Sequence, residues 1–120
     1  MKVLVVDDSK AMRMIVTRAL RQAGLPDLEV IDADNGRMAY DAILAAAPDL
    51  VLCDWNMPEM NGLELLEALN EAGVRVKFAF VTSESTAQIR AKARAAGALF
   101  LLSKPFTPQS LKERLLEHAL

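Results

Sequence analysis

Val3-Leu4-Val5-Val6-Asp7-Asp8 sets four consecutive apolar residues, three of them β-branched, directly against two carboxylates. An apolar run without alternation is what a parallel strand covered on both faces requires. The abrupt change to acid marks where such a strand leaves the core. Leu50-Val51-Leu52-Cys53-Asp54 repeats the arrangement, again ending on a carboxylate. Working outward, three more runs have strand character: Leu28-Glu29-Val30-Ile31, Lys77-Phe78-Ala79-Phe80-Val81 and Leu99-Phe100-Leu101-Leu102. The Leu28 run mixes polar with apolar residues and is expected at a sheet edge.

The intervals between these runs carry helix punctuation. Ala23-Gly24, Ala72-Gly73 and Ala96-Gly97 close the first, third and fourth helices, glycine accepting the left-handed conformation of a helix end. The second helix opens after Asn35-Gly36 and stops before Pro48, and the fifth opens with Thr107 as cap and Pro108 in its first turn. Ser85 followed by Gln88 suggests a capping box for the fourth. Strict alternation over 120 residues predicts one α/β domain spanning residues 1–120. Its five-stranded parallel sheet would carry five helices on both faces, joined by right-handed crossovers.

Charge narrows the function classes. Fourteen basic residues against sixteen acidic give no electrostatic case for nucleic acid or membrane as the primary partner. The single cysteine, Cys53, lies within an apolar run, as suits a reducing compartment. No apolar stretch is long enough for membrane insertion, and Met1-Lys2-Val3 runs straight into a strand pattern without a signal peptide. A cytoplasmic protein is expected.

A ligand site in a parallel α/β sheet belongs at the carboxyl ends of its strands. There the chain gathers Asp7-Asp8, Asp54 followed by Asn56, Thr82-Ser83 and Lys104-Pro105, from the ends of four different strands. Three converging carboxylates repel one another, and one lysine offsets a single charge. The set suits a hard divalent cation with oxygen ligands, Mg²⁺ foremost. Such a cation would allow a phosphoryl group to approach Asp54, whose carboxylate can attack phosphorus. Each residue alone is ordinary cap or turn chemistry; their joint placement carries the inference.

Val5-Val6-Asp7-Asp8, Asp54-Trp55-Asn56-Met57-Pro58 through Asn61-Gly62, Thr82-Ser83-Glu84 and Lys104-Pro105-Phe106 together resemble the receiver domains of bacterial two-component response regulators, the chemotaxis type above all. The resemblance spans essentially the whole chain. It implies a flavodoxin-like sheet of strand order 2-1-3-4-5 and a phosphoryl acceptor at Asp54, supplied by a histidine kinase or phosphotransfer domain. It further implies Mg²⁺ (or Mn²⁺) held by Asp7, Asp8, Asp54 and the Asn56 carbonyl. Thr82, Lys104 and the backbone N–H groups near Met57 and Ser83 would bind phosphoryl oxygens. Asn56 and Glu84 would tune hydrolysis, and the Lys104-Pro105 peptide would be cis. Such a protein is a switch rather than a turnover enzyme. It signals to a downstream target through the surface of the fourth helix, fifth strand and fifth helix, and a phosphatase can reset it.

One position departs from the family. Receivers usually carry Tyr or Phe three residues before the lysine, where this chain has Leu101. Phe100 is adjacent, but strand alternation turns it to the other face of the sheet.

Partner surfaces are expected on the first and fourth helices. On the first, Met12, Ile15, Val16, Ala19 and Leu20 form the inward stripe, leaving Ala11, Met14 and Arg18 outward for a kinase or phosphatase. The fourth carries Arg90, Lys92 and Arg94 with no acid after Glu84, a surface for an acidic partner segment. Ala98-Leu99-Phe100 lacks the acidic residue through which many DNA-binding regulators dimerise, so a monomer is expected.

Two other chemistries use related architecture. A flavin carrier would need a Ser/Thr/Gly-rich phosphate cradle after the first strand, where two carboxylates stand here. A haloacid-dehalogenase-type phosphatase would place its nucleophile there in an Asp-x-Asp pattern, whereas this pair is contiguous. A receiver excised from a larger regulator, or one serving as a scaffold without phosphorylation, shares every motif above.

Overall fold

Residues 1–120 are all described by the computed structural model. Five strands, β1 (Lys2–Val6), β2 (Glu29–Ala33), β3 (Leu50–Cys53), β4 (Lys77–Thr82) and β5 (Leu101–Ser103), alternate with five helices. These are α1 (Lys10–Gln22), α2 (Gly36–Ala46), α3 (Gly62–Glu71), α4 (Ala87–Ala95) and α5 (Pro108–Glu117). The strands form one parallel sheet in the order β2-β1-β3-β4-β5, with β2 at an edge as its mixed composition requires.

Strand alternation divides the core into two layers. Leu4, Val6, Val51, Cys53, Phe78, Phe80 and Leu101 face α2, α3 and α4, meeting Ile43, Leu65, Leu69 and Ala93. Val3, Val5, Leu50, Leu52, Val81, Phe100 and Leu102 face α1 and α5, meeting Val16, Leu20, Leu111 and Leu115. Leu101 and Phe100 thus lie on opposite faces of the sheet, as alternation demands.

The punctuation reads as written at most helix ends. Gly24, Gly73 and Gly97 follow α1, α3 and α4 with positive φ. Asn35 caps α2, and Thr107 caps α5 with Ser110 completing a reciprocal box. At α4 the cap is Thr86, whose hydroxyl accepts from the Ile89 N–H, and not Ser85 paired with Gln88. The Glu84 N–H is tied to the Thr82 hydroxyl, which commits Ser85 to the loop and shifts the helix start by one residue.

Two strands are displaced from their apolar runs. β2 extends to Ala33 because Asp32 and Ala33 stay in register with Val5 and Val6. β5 is regular only from Leu101, although Leu99 and Phe100 already bond to β4 through Leu99 N–H to Phe78 O and Phe80 N–H to Phe100 O. On α1, Ile15 is 46% exposed and sits on the rim of the stripe, while Val16, Ala19 and Leu20 are buried. Ala11, Met14 and Arg18 do face outward. No helix is long and apolar enough to cross a membrane.

Candidate metal and phosphoryl site

Parallel pairing brings the ends of β1, β3 and β4 side by side, so residues distant in sequence meet at one sheet edge. Val6 pairs with Cys53, which places Asp7 beside Asp54, and the Asp54 N–H donates to Val6 O at 2.9 Å. One carboxylate oxygen from each of Asp7, Asp8 and Asp54 lies within 4.8 Å of the others. Asp7 is almost wholly buried and Asp8 is exposed, so the group opens outward through Asp8.

Lys104 enters from the β5–α5 loop and holds two of the three. Its ammonium donates to Asp7 Oδ2 at 2.8 Å and lies 3.4 Å from Asp54 Oδ2. The loop is anchored by the Lys104 N–H to Thr82 O at 2.9 Å, and the Lys104–Pro105 peptide is cis. Three carboxylates against one ammonium leave two negative charges in a partly desolvated cluster, where repulsion is stronger than in water. That excess equals the charge of a divalent cation, and the donors are all hard oxygens, so the set fits Mg²⁺ or Mn²⁺.

The remaining oxygens are fixed by local backbone. Asp54 Oδ1 accepts from the Trp55 N–H at 2.7 Å, and Asp7 Oδ1 accepts from the Ser9 N–H at 2.9 Å. Ser9 also caps α1 through the Met12 N–H. Both bonds hold a carboxylate at a set angle and leave its other oxygen facing the cluster. Behind Asp54 the chain turns tightly: the Gly62 N–H donates to Trp55 O at 2.9 Å, and a Cβ at Gly62 would collide with the Asp54 carbonyl and the Phe80 ring. Glycine there permits α3 to approach the strand that carries Asp54.

The other residues singled out by sequence occupy the surround. Thr82 is fully buried at the end of β4, its hydroxyl accepting from the Glu84 N–H at 3.2 Å. Asn56 and Glu84 are exposed and bonded to each other, Nδ2 to Oε1 at 3.0 Å. Met57 is half-buried and Ser83 exposed, on the loops that follow β3 and β4. Leu101 stands apart from the acids, packed in the core with its backbone in register with Phe80.

Two neighbours of the site were not foreseen. Arg13 donates through Nη1 to Asp7 O at 2.7 Å and through Nε to Asp32 at 2.9 Å, bridging the ends of β1 and β2. Its place one turn after the cap Ser9 was the available signal. Cys53 lies directly behind the acids; burial, then the charges of Asp54 and Asp7, push its thiol well up, with Lys104 opposing.

Residues 3–116 match the family described as the response regulator receiver domain. The chain is 41% identical over 118 residues to chemotaxis protein CheY1 of Helicobacter pylori, covering 96% of this chain and 94% of that protein. It is equally identical over 119 residues to the chemotaxis protein CheY homolog of Campylobacter jejuni, covering 96% and 89%. Among solved structures, chemotaxis protein CheY4 of Vibrio cholerae superposes with a TM-score of 0.84 at 34% identity, covering 99% of this chain and 98% of that one.

Proposed function

The chain belongs to the response regulator receiver domain family, and we propose that it works as a Mg²⁺-dependent phosphoryl switch with Asp54 as acceptor. The carrying observation is the cluster of Asp7, Asp8 and Asp54 bridged by Lys104. Asp7, Asp8, Asp54 and the Asn56 carbonyl would hold the cation. Bound there, it would neutralise the acids and the charge developing on the transferred group.

Asp54 Oδ1 is occupied by the Trp55 N–H, so Oδ2 is the attacking oxygen. It forms the new O–P bond as the donor's P–N bond to a phosphohistidine breaks, and the imidazole nitrogen keeps that electron pair and takes up a proton. Lys104, already on Asp54 Oδ2, would follow the negative charge onto a phosphoryl oxygen. Thr82 Oγ1 accepts one bond and has its own proton to donate to a second phosphoryl oxygen, with the N–H groups at Met57 and Ser83 assisting. Hydrolysis returns the Asp54 carboxylate and inorganic phosphate. Asn56 and Glu84, exposed and bonded to each other, would tune that hydrolysis.

Similarity to chemotaxis regulators supports a role in motility signalling, with a histidine kinase or phosphotransfer domain as donor and a downstream protein as target. Incubation with acetyl phosphate and Mg²⁺, followed by intact mass, tests the chemistry. One added phosphoryl group is expected, dependent on metal and lost in Asp54→Ala. Folded protein that gains no mass refutes the assignment.

A further inference from the structure

Arg90, in the first turn of α4, makes three hydrogen bonds through one rigid guanidinium. Its Nε–H donates to Ser85 O at 3.2 Å, Nη1–H to Leu101 O at 3.2 Å, and Nη2–H to Ser103 Oγ at 2.9 Å. Arg90 has no carboxylate partner, so these neutral acceptors are its whole set of polar contacts. They belong to the two segments that flank the candidate phosphoryl ligands. Ser85 lies in the loop that follows Thr82, and Ser103 immediately precedes Lys104 and pairs with Thr82 across the sheet.

The loop has one evident trigger. The Glu84 N–H is held by Thr82 Oγ1, at the long end of the hydrogen-bond range. Turning the Thr82 side chain about its Cα–Cβ bond to bring that hydroxyl onto a phosphoryl oxygen moves Oγ1 away from the Glu84 N–H, and the loop through Ser85 is then freed to shift. Leu101 offers no side-chain bond to that loop, since its isobutyl group is packed in the core with Phe80 and Ala93. Arg90 does offer one. Its five N–H groups are fixed in a plane, so displacing one acceptor turns the fork that holds the other two.

We propose that Arg90 is the positioning residue that transmits phosphoryl-dependent movement of the β4–α4 loop to β5, through its shared grip on Ser85, Leu101 and Ser103. The inference rests on the reading of Asp54 and Thr82 given above, and its consequences separate from that reading. An arginine serving only to cap the edge strand would affect stability but not the transfer of a signal between segments.

The amide resonances of Ser83–Ser85 and of Leu101–Ser103 report the two ends of the tie. They are followed on adding Mg²⁺ and beryllofluoride, a phosphoryl mimic, while uptake from acetyl phosphate is read by mass. In the unsubstituted chain both groups of resonances are expected to shift. In Arg90→Met the loop shifts are retained and the β5 shifts shrink several-fold. Arg90→Lys, with one ammonium in place of the fork, should fall between. The Leu101 carbonyl keeps its bond from Arg114 Nη2 at 3.3 Å in these variants, which protects the fold. Ser103→Ala removes one acceptor without touching α4 and should weaken the β5 response while sparing the loop. Normal uptake with an undiminished β5 response in Arg90→Met, or a β5 strand silent in the unsubstituted chain, overturns the role of Arg90 alone. No uptake by the folded, unsubstituted chain overturns the site reading and the relay with it.

Discussion

The sheet presents cationic side chains to two different surroundings. At the carboxyl ends of β1 and β3, one ammonium, Lys104, faces three carboxylates. At the β5 edge two guanidiniums, Arg90 and Arg114, converge on one carbonyl, Leu101 O, and Arg114 also lies 5.6 Å over the Phe100 ring. The first cluster is two positive charges short of balance. The second has its hydrogen bonds already made, Arg90 to neutral acceptors and Arg114 to Leu101 O and the Glu117 carboxylate, and no buried side-chain polar atom in the chain lacks a partner. Burial makes the imbalance costly, because charges removed from water must find partners. A region left unbalanced despite that cost is shaped for something that arrives; a region already satisfied is shaped to hold.

The contrast breaks most visibly at Lys104. Lys104→Met should reduce phosphoryl uptake from acetyl phosphate at least about 100-fold, the usual loss when a donor to transition-state charge is removed. Arg114→Ala, equally cationic but at the satisfied edge, should leave uptake within about twofold, as a residue outside the reacting groups does. Intact-mass time courses compare the two. Equal losses would mean that the distribution of charge between the regions is not what matters for the chemistry.

Cys53 sharpens the same comparison from behind the pocket, with a smaller effect. Its thiol holds its proton to higher pH in the folded chain than in the unfolded one, through burial first and then through Asp54 and Asp7. The folded state therefore binds more protons once pH passes the ordinary thiol value. Stability from this source is intact below about pH 8.5 and declines above it by up to about 1.4 kcal/mol per pH unit, until the folded thiol itself titrates. Urea midpoints at pH 8 and pH 10 should fall further for the unsubstituted chain than for Cys53→Ala. Parallel declines would show that the thiol does not hold its proton more tightly in the folded chain than in the unfolded one.

What was readable in the sequence follows the same division. Asp7, Asp8, Asp54 and Lys104 were legible because side-chain chemistry at strand ends is written in residue identity, and parallel topology does the gathering. The β2 and β5 boundaries were less so: a ladder bonds through backbone, so Asp32 extends β2 although its side chain ends the apolar run. Choosing Thr86 over Ser85 as the α4 cap depends on the Thr82 tie to Glu84, which two adjacent hydroxyls cannot reveal. Ile15 follows the stripe's spacing but sits at its rim, where burial depends on the neighbouring elements. Arg13 and Arg90 were invisible as structural ties because most of their acceptors are carbonyls, which every residue has.

The smallest effect tests whether the β5 edge is one unit or two independent contacts. Arg114 is partly exposed, and its contacts are the shared Leu101 carbonyl, the Phe100 face and an outward pairing with Glu117 at 3.3 Å. Alone, Arg114→Ala should cost about 0.5–1 kcal/mol, the range of an exposed cation–π contact. Combined with Arg90→Met it strips both side-chain donors from Leu101 O, so the double variant should exceed the sum of the single ones by about 0.5–1 kcal/mol. Denaturant midpoints for the four proteins of this cycle measure the excess. Strict additivity would mean that each arginine is replaceable at that carbonyl by water, and the edge would then lack the closed set of partners that distinguishes it from the acidic pocket.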